Sequence, residues 1–238
     1  VRPGPVITMY EFRPAPSVKV RKVVTLADDL SMAMRAVSVR ILAPIPGESV
    51  VGVEVPNRAS TTVMIRRIMD SEEYRAILDG GGLPVALGLA SAGEPVAIDL
   101  LKMPHLLIAG ATGSGKSVCM NSIISSLIAH QSPSRVRMML VDPKRVELTV
   151  YNETHHLLAP VLVDTEKIVP ALRGIIGEMN ARYKRFARAG VRNIEAYNRK
   201  VAPPDPPLPY IVVVIDELAD LMMTASTEVE QVLCRLAR

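Results

Sequence analysis

The stretch HLLIAGATGSGKSVCM, residues 105–120, decides the fold. An aliphatic run leads into Gly110, and the pattern G-x-x-x-x-G-K-[ST] is completed by Lys116 and Ser117 before a helical pattern begins. In a strand, glycine-rich turn and helix, successive backbone N–H groups converge on one anion at the positive end of the helix. Four constrained positions match by chance in roughly one chain in a hundred of this length. The stretch therefore predicts a phosphate-binding loop rather than a simple turn.

A nucleotide is the ligand that such a loop predicts. Lys116 is long enough to bridge the β- and γ-phosphates, which makes it a candidate catalytic residue, and the hydroxyl of Ser117 is a candidate Mg²⁺ ligand. We therefore expect ATP and Mg²⁺ as cofactors. The predicted nucleotide-binding residues are Gly110, Ala111, Thr112, Gly113, Ser114, Gly115, Lys116, Ser117 and Val118.

A second pattern, PYIVVVIDELADLM at residues 209–222, ends a hydrophobic strand with two acids. Open α/β sheets place their ligands at the carboxyl ends of strands. We predict that Asp216 holds Mg²⁺ and that Glu217 polarises the attacking water. Paired acids also serve simply as helix N-terminal charges, but a phosphate loop some hundred residues earlier favours the site. Asp220, three positions further on, fits a solvated helix face and is left out.

The remaining pattern predicts an α/β fold with a second, smaller unit before it. The aliphatic runs at 105–109, 136–141 and 210–215 are continuous rather than alternating, as in parallel strands that are buried on both faces. Helical patterns at 168–189 and 193–201 separate the later runs, which indicates a parallel sheet flanked by helices. The proline-rich segment 202–209 predicts a rigid surface linker.

Residues 1 to about 75 predict a small α+β unit. Its predicted strands are 6–12, 37–42 and 50–55, its helices 26–36 and 62–69, with a turn at Pro46 and Gly47. The glycine cluster at 79–82 breaks every regular pattern and predicts a flexible junction. We therefore expect an α+β domain over 1–80 and the ATPase domain over 81–238.

Composition excludes several classes of protein. Hydrophobic residues make up 49% and charged residues 22%, so the chain is a folded body rather than a disordered one. The two cysteines stand far apart without ligand-spaced partners, which excludes a disulfide scaffold and a zinc module and favours a reducing compartment. His155 and His156 lack nearby ligands and predict a loop or core role. The longest strongly apolar runs span about six residues, too few to cross a membrane. With 6 Tyr, 2 Phe and no Trp, a binding surface of stacked aromatic rings is disfavoured.

Positive charge is concentrated between residues 182 and 200. This stretch has one acid, Glu195, against the basic residues Arg182, Lys184, Arg185, Arg188, Arg192, Arg199 and Lys200. The arginines at 182, 185 and 188 recur every three positions and could share a helix face. A phosphate backbone and bulk solvent are both plausible partners for such a face.

Several of these stretches resemble the FtsK/SpoIIIE family of DNA translocases. The resemblance is carried by HLLIAGATGSGKSVCMNSII, VDPKRVEL, EMNARYKRFARAGVRNIEAYN and PYIVVVIDELADLMM, while GPVITMYEFRPAPSVKV and VPNRAS resemble the family's α domain. The resemblance implies a RecA-like P-loop NTPase core, a homo-hexameric ring around double-stranded DNA, and ATP-driven translocation for chromosome segregation at cell division or sporulation. It also implies that Arg185 and Arg192 lie near the pore and contact DNA.

The resemblance carries two further expectations. It implies work at the cytoplasmic face of the bacterial inner membrane, with the membrane reached only through a segment of the parent protein outside this chain. It also implies a later strand, beyond residue 238, between the strands at 105–109 and 210–215, so we expect an ATPase domain that is incomplete on its C-terminal side.

Two alternative functions stay open on the sequence. One is a related pumping ATPase that moves protein or single-stranded DNA in secretion or conjugation. The other is an assembly module that binds ATP without turning it over, against which the presence of Glu217 argues.

Overall fold

The computed structural model describes residues 1–45, 49–201 and 206–237. The predicted turn at Pro46 and Gly47 and the first half of the predicted linker, 202–205, lie outside these ranges. The chain forms two compact units, Val1–Met103 and Pro104–Arg238. The predicted domain boundary near residue 80 stays a prediction.

The first unit is an α+β arrangement around a four-stranded antiparallel sheet. The elements are β1 (Arg2–Pro3), β2 (Ile7–Phe12), α1 (Val20–Val24), α2 (Ala27–Met34), β3 (Arg40–Leu42), β4 (Val51–Pro56), α3 (Ile65–Met69), α4 (Glu72–Asp79), β5 (Pro84–Leu89) and β6 (Pro95–Asp99). The sheet has the order β1-β2-β4-β3, and a separate two-stranded hairpin pairs β5 with β6. The strands and helices predicted before residue 75 are confirmed to within a few residues, and β1, α1, α4 and the hairpin are additional.

The glycine cluster at 79–82 connects α4 to β5 inside this unit. Gly81 has φ +76°, a conformation that glycine adopts readily. The chain then continues into Leu83, which is fully buried. The backbone N–H of Leu83 donates to the Asp99 carboxylate at 3.0 Å. Residues 79–81 are exposed and Gly82 is buried, and the backbone N–H groups of all three glycines donate to carbonyls of α4, so the cluster is a hydrogen-bonded helix-to-strand connection.

The second unit has a parallel pair of strands covered by helices. Residues 136–141 and 210–215 pair in register from Val136 with Tyr210 to Val141 with Ile215, which confirms both predicted strands. The two strands therefore end side by side, and Asp142 and Asp216 each follow a strand at the same edge. The elements are α5 (Lys116–His130), β7 (Val136–Val141), α6 (Thr165–Ala189), α7 (Ile194–Lys200), β8 (Tyr210–Ile215) and α8 (Leu218–Leu236).

Apolar packing fixes this sheet against α6 and α8. One core cluster joins Met139 and Val141 of β7 to four buried residues of α6 and three of α8. Side chains alternate between the two faces of a strand, so the other apolar residues of β7 point to the opposite face. They are buried as well, which shows that this face is also covered. β8 is only half-buried along its whole length. None of the helices in the described ranges is long and apolar enough to span a lipid bilayer.

The predicted strand at 105–109 is wrong. These residues form no strand, and Leu107 is 80% exposed. A β-strand is stabilised by hydrogen bonds to a neighbouring strand. In the part of the chain that the structure describes, β8 pairs with β7 on one edge and with no strand on the other. An apolar run alone was therefore not sufficient to make a strand here.

The described half of the predicted surface linker is anchored to α7. The Asn198 side chain accepts from the backbone N–H of Leu208 and donates to its C=O, both at 2.8 Å. Leu208 itself is buried. The amide thus satisfies backbone groups that the surrounding prolines cannot pair in a ladder, and this half of the segment leads rigidly into β8.

Candidate functional site

The glycine pattern builds an open backbone loop at the start of α5. Gly113 and Gly115 have φ +81° and +96°, where other residues are strained. A Cβ at Gly110 would lie 2.1 Å from the Ser114 hydroxyl oxygen, so a side chain there would displace that hydroxyl. Residues 110–115 are all exposed, and the 15-residue helix α5 begins directly after them at Lys116. The loop and the helix dipole together form a cradle that suits a phosphate group.

Lys116 connects this loop to the acidic pair after β8. Its ammonium lies 3.3 Å from Asp216 Oδ1 and 3.2 Å from Glu217 Oε2. It also donates to the backbone C=O of Asp216 at 2.9 Å. Burial lowers the pKa of Lys116, but the hydrogen bonds and charges of the two acids outweigh that effect and raise it. The ammonium is therefore fully charged at neutral pH.

A second lysine lies against the same glutamate. The ammonium of Lys144 is 3.3 Å from Glu217 Oε2 and 3.4 Å from Asp220 Oδ2. The hydrogen bonds from Lys116 and then Lys144, followed by their charges, hold the pKa of Glu217 below its usual value. Glu217 is thus ionised and held between two cations, and Asp220 lies at the margin of the cluster.

The predicted metal ligand Ser117 has an acidic neighbour. Its hydroxyl donates to Glu147 Oε1 at 2.8 Å. Asp142, at the end of β7, is fully buried, and its Oδ2 accepts from the backbone N–H groups of Glu147 and Leu148 at 3.0 and 2.9 Å. The loop that carries Glu147 is therefore fixed from the core outward.

The residues fit a magnesium nucleotide. In the described ranges no group of three or more His, Cys, Asp or Glu forms a metal site. Mg²⁺ commonly needs only one or two protein oxygens, because waters and substrate phosphates complete its shell. The Ser117 hydroxyl and the buried Asp216 Oδ1, whose contact in the described part of the chain is the ion pair with Lys116, are suitable oxygens.

The basic stretch at 182–200 divides into two groups. Arg182 is largely buried, donating to Glu178 at 2.7 Å and to the C=O of Pro209 at 2.6 Å, and Lys200 donates to the C=O of Ala189. The predicted shared face therefore loses Arg182, because its guanidinium braces the entry to β8. Within the described ranges the structure gives no ion pair or hydrogen bond for the exposed side chains of Lys184, Arg185, Arg188, Arg192 and Arg199.

A rigid corner presents Arg192. Gly190, with φ +67°, ends α6, and the backbone N–H of Val191 donates to the C=O of Phe186. Asn193 begins α7 by accepting from the backbone N–H of Ala196 at 2.9 Å. The rings of Phe186 and Tyr197 pack against each other across the corner, with their centroids 5.4 Å apart. Arg192 is exposed between two capped helix ends.

Sequence reasoning missed three polar residues of this site: Asp142, Lys144 and Glu147. The carboxyl-end argument that selected Asp216 applies equally to Asp142, which follows the neighbouring parallel strand. No local pattern points to Lys144 or Glu147, since their partners lie 73 and 30 residues away. The predicted core role is confirmed for His156, which is buried and donates from Nε2 to the C=O of Gln131 at 2.8 Å.

Curated proteins of similar sequence carry translocase names. The chain is 50% identical over 242 residues to the DNA translocase FtsK of Halalkalibacterium halodurans, covering 99% of this chain and 30% of that protein. It is 48% identical to the Bacillus subtilis DNA translocases SftA and SpoIIIE, covering 25% and 30% of their lengths and all or nearly all of this chain. The chain thus spans about a third or less of these relatives.

Solved structures share the fold at lower identity. The pCW3 conjugation coupling protein TcpA is 22% identical with a TM-score of 0.56, over 99% of this chain and 64% of that one. The second and third ATPases of Thermomonospora curvata EccC are 21% identical with a TM-score of 0.59, over 66% of this chain and 30% of that one. These likenesses show the fold alone, an α/β RecA-like core.

Two family models match consecutive parts of the sequence. The model of the FtsK alpha domain matches residues 1–57, and the model of the FtsK/SpoIIIE family matches residues 65–238. The chain belongs to the FtsK/SpoIIIE family.

Proposed function

We propose that this chain is the ATP-hydrolysing part of a double-stranded DNA translocase that segregates chromosomes at cell division or sporulation. The observation that carries the proposal is the Lys116 ammonium, which lies within 3.3 Å of both Asp216 and Glu217 at the mouth of an exposed phosphate cradle. A phosphate cradle, a cation and a paired acid are the parts that phosphoryl transfer to water requires.

Each residue has a defined task in the proposed reaction. The loop at 110–115 and the first turn of α5, which includes Val118, hold the phosphates of ATP through their backbone N–H groups, apart from that of Ser114, which donates to the C=O of Ala111. Lys116 neutralises the β- and γ-phosphate oxygens, and Ser117 and Asp216 hold Mg²⁺, which supplies charge neutralisation at the transferred group. Glu217, ionised between two cations, orients the water that attacks.

The proposed DNA partner is bound through its phosphates. Arg185 and Arg192 are exposed and have no internal ion pair within the described ranges, so their charge is available to an anion. The capped corner at Gly190 fixes the backbone at Arg192 before any partner arrives, which reduces the backbone part of the entropic cost of binding. We further propose a homo-hexameric ring around the duplex, at the cytoplasmic face of the inner membrane. The secretion and conjugation alternatives rest only on distant structural relatives, whereas the relatives near 50% identity are named DNA translocases.

The test measures ATP hydrolysis by the whole protein with and without duplex DNA. We expect duplex DNA of unrelated sequences to stimulate hydrolysis equally. The double substitution of Arg185 and Arg192 by Ala should weaken duplex binding about equally on every sequence and flatten the salt dependence by up to roughly two phosphate contacts. Lys167→Ala is the control, because it removes an exposed cation from α6, the helix that carries Arg185, outside the basic stretch. A rate of hydrolysis that duplex DNA does not raise would contradict the translocase proposal. An unchanged salt dependence of duplex binding in the double variant would show that these arginines do not contact DNA.

A further inference from the structure

The acidic neighbour of Ser117 is the feature that the proposed function leaves without a role. We propose that Glu147 is a positioning residue for Mg²⁺-nucleotide binding, which acts by orienting the Ser117 hydroxyl. The inference rests on the proposed function, because it takes Ser117 as a metal ligand. It adds a residue from a different loop, 30 positions further along the chain.

The hydrogen-bond direction makes this role chemically consistent. A serine hydroxyl has one hydrogen and two lone pairs. Donating the hydrogen to Glu147 Oε1 at 2.8 Å leaves the lone pairs of Ser117 free for a cation. A carboxylate acceptor also polarises the O–H bond and makes the oxygen a better metal ligand. Residues that hydrogen-bond a metal ligand in this way typically change metal affinity 10–100-fold when they are removed.

The surroundings hold Glu147 in place before any ligand binds. Its backbone N–H and that of Leu148 donate to the fully buried Asp142 carboxylate, and Leu148 is itself fully buried. Further along the same loop, the Tyr151 hydroxyl donates to Asn121 Oδ1 at 2.8 Å. Asn121 lies four residues after Ser117 on α5, so the loop is attached to the phosphate-loop helix at two successive turns. This double attachment fixes the distance between the Glu147 carboxylate and the Ser117 hydroxyl.

The test separates metal-dependent from metal-independent nucleotide binding by the whole protein. The affinity for a fluorescent, non-hydrolysable ATP analogue is measured across a Mg²⁺ titration and again in excess EDTA. We expect Glu147→Ala to raise the Mg²⁺ concentration at half-maximal binding about tenfold or more, with the affinity in EDTA unchanged. Glu147→Gln keeps an oxygen that accepts from Ser117 and should shift the Mg²⁺ requirement less.

Two comparisons make the result specific. Ser117→Ala should raise the Mg²⁺ concentration at half-maximal binding at least as much as Glu147→Ala does. The double variant should raise it no further than Ser117→Ala alone, since the two changes remove the same interaction. Glu153→Ala is the matched control, because Glu153 is an exposed acid shortly after the same loop and has no contact with Ser117.

Three outcomes would overturn the inference. They are an unchanged Mg²⁺ requirement in Glu147→Ala, an equal loss of affinity in Mg²⁺ and in EDTA, and strict additivity with Ser117→Ala. If Glu147→Ala does not fold, Glu147→Met takes its place, because it keeps the length of the side chain and removes the acceptor oxygen, and the same three outcomes contradict the inference. An unmodified protein that binds no nucleotide would instead contradict the proposed function.

Discussion

The phosphate loop at 110–115 and the loop that follows β7, residues 142–151, contribute to one site by opposite means. The phosphate loop is exposed throughout and uses its backbone, so its requirement is for glycine. The loop after β7 uses side chains. Five of its polar side chains each form a hydrogen bond with a different partner: Ser117, Asn121, Asp164, Glu217 and the loop's own backbone. In the proposed function, one loop provides the contact surface for the nucleotide, and the other fixes the groups around it.

The difference separates two kinds of sensitivity to mutation. Changes in the phosphate loop should affect ligand binding while the fold persists, because residues 110–115 are exposed throughout. Lys116 is expected to behave in the same way, since its contacts are with the acidic pair of the site. Changes in the loop after β7 should first affect stability or the geometry of the site, because the loop is attached to the core through Asp142 and Leu148.

The largest expected effect tests the phosphate-loop side of this comparison. Lys116→Ala removes the cation that meets the β- and γ-phosphates, and we expect ATP turnover to fall by a factor on the order of 100–1,000. The measurement is nucleotide affinity and turnover in the whole protein, with the melting temperature followed in parallel. The control is Lys167, which is exposed on α6 and pairs with Asp164, and Lys167→Ala should leave turnover unchanged. Normal turnover in Lys116→Ala would exclude the loop as the nucleotide site.

A stability measurement tests the other side. Asp142→Ala leaves two backbone N–H groups without their acceptor, and each unsatisfied buried group costs about 1–3 kcal/mol. In a chain of this size the melting temperature should fall by roughly 2–4 °C per kcal/mol. Thr112→Ala in the exposed phosphate loop is the comparison and should melt like the unmodified protein. If the two variants melt alike, the loop after β7 is not the more firmly anchored of the two.

The same contrast explains what the sequence predicted about the site. The sequence predicts the glycines, Lys116 and the acidic pair because a local pattern specifies them. Lys144 and Glu147 were not found because their roles depend on partners brought near by the parallel pairing of β7 with β8. The spacing of Arg182 predicts a place on the basic face, but its guanidinium contacts Glu178 and Pro209 instead.

Local sequence patterns likewise predict some strands of the fold correctly and fail where a strand depends on a distant partner. The bounds of β7 and β8 follow from continuous aliphatic runs, which need both faces of a sheet covered. Residues 105–109 have an equally apolar sequence but no strand beside them in the described ranges, so their backbone forms no ladder. Composition describes what a segment can bury, whereas strand formation also depends on a hydrogen-bonding neighbour that composition does not specify.

The smallest expected effect concerns Lys144, where the two loops meet at Glu217. Its ammonium contacts Glu217 and Asp220 from the solvent side, and half of its side chain is exposed. Exposed ion pairs contribute little, so Lys144→Met should lower kcat only about two- to fivefold, with the KM for ATP nearly unchanged. Lys144→Arg should restore most of the rate. In a Glu217→Gln background the Lys144→Met change should have no further effect, because the carboxylate it orients is gone. A rise in KM with unchanged kcat, or full additivity with Glu217→Gln, would show that Lys144 acts on the nucleotide directly, and the loop after β7 would then contact the ligand as the phosphate loop does.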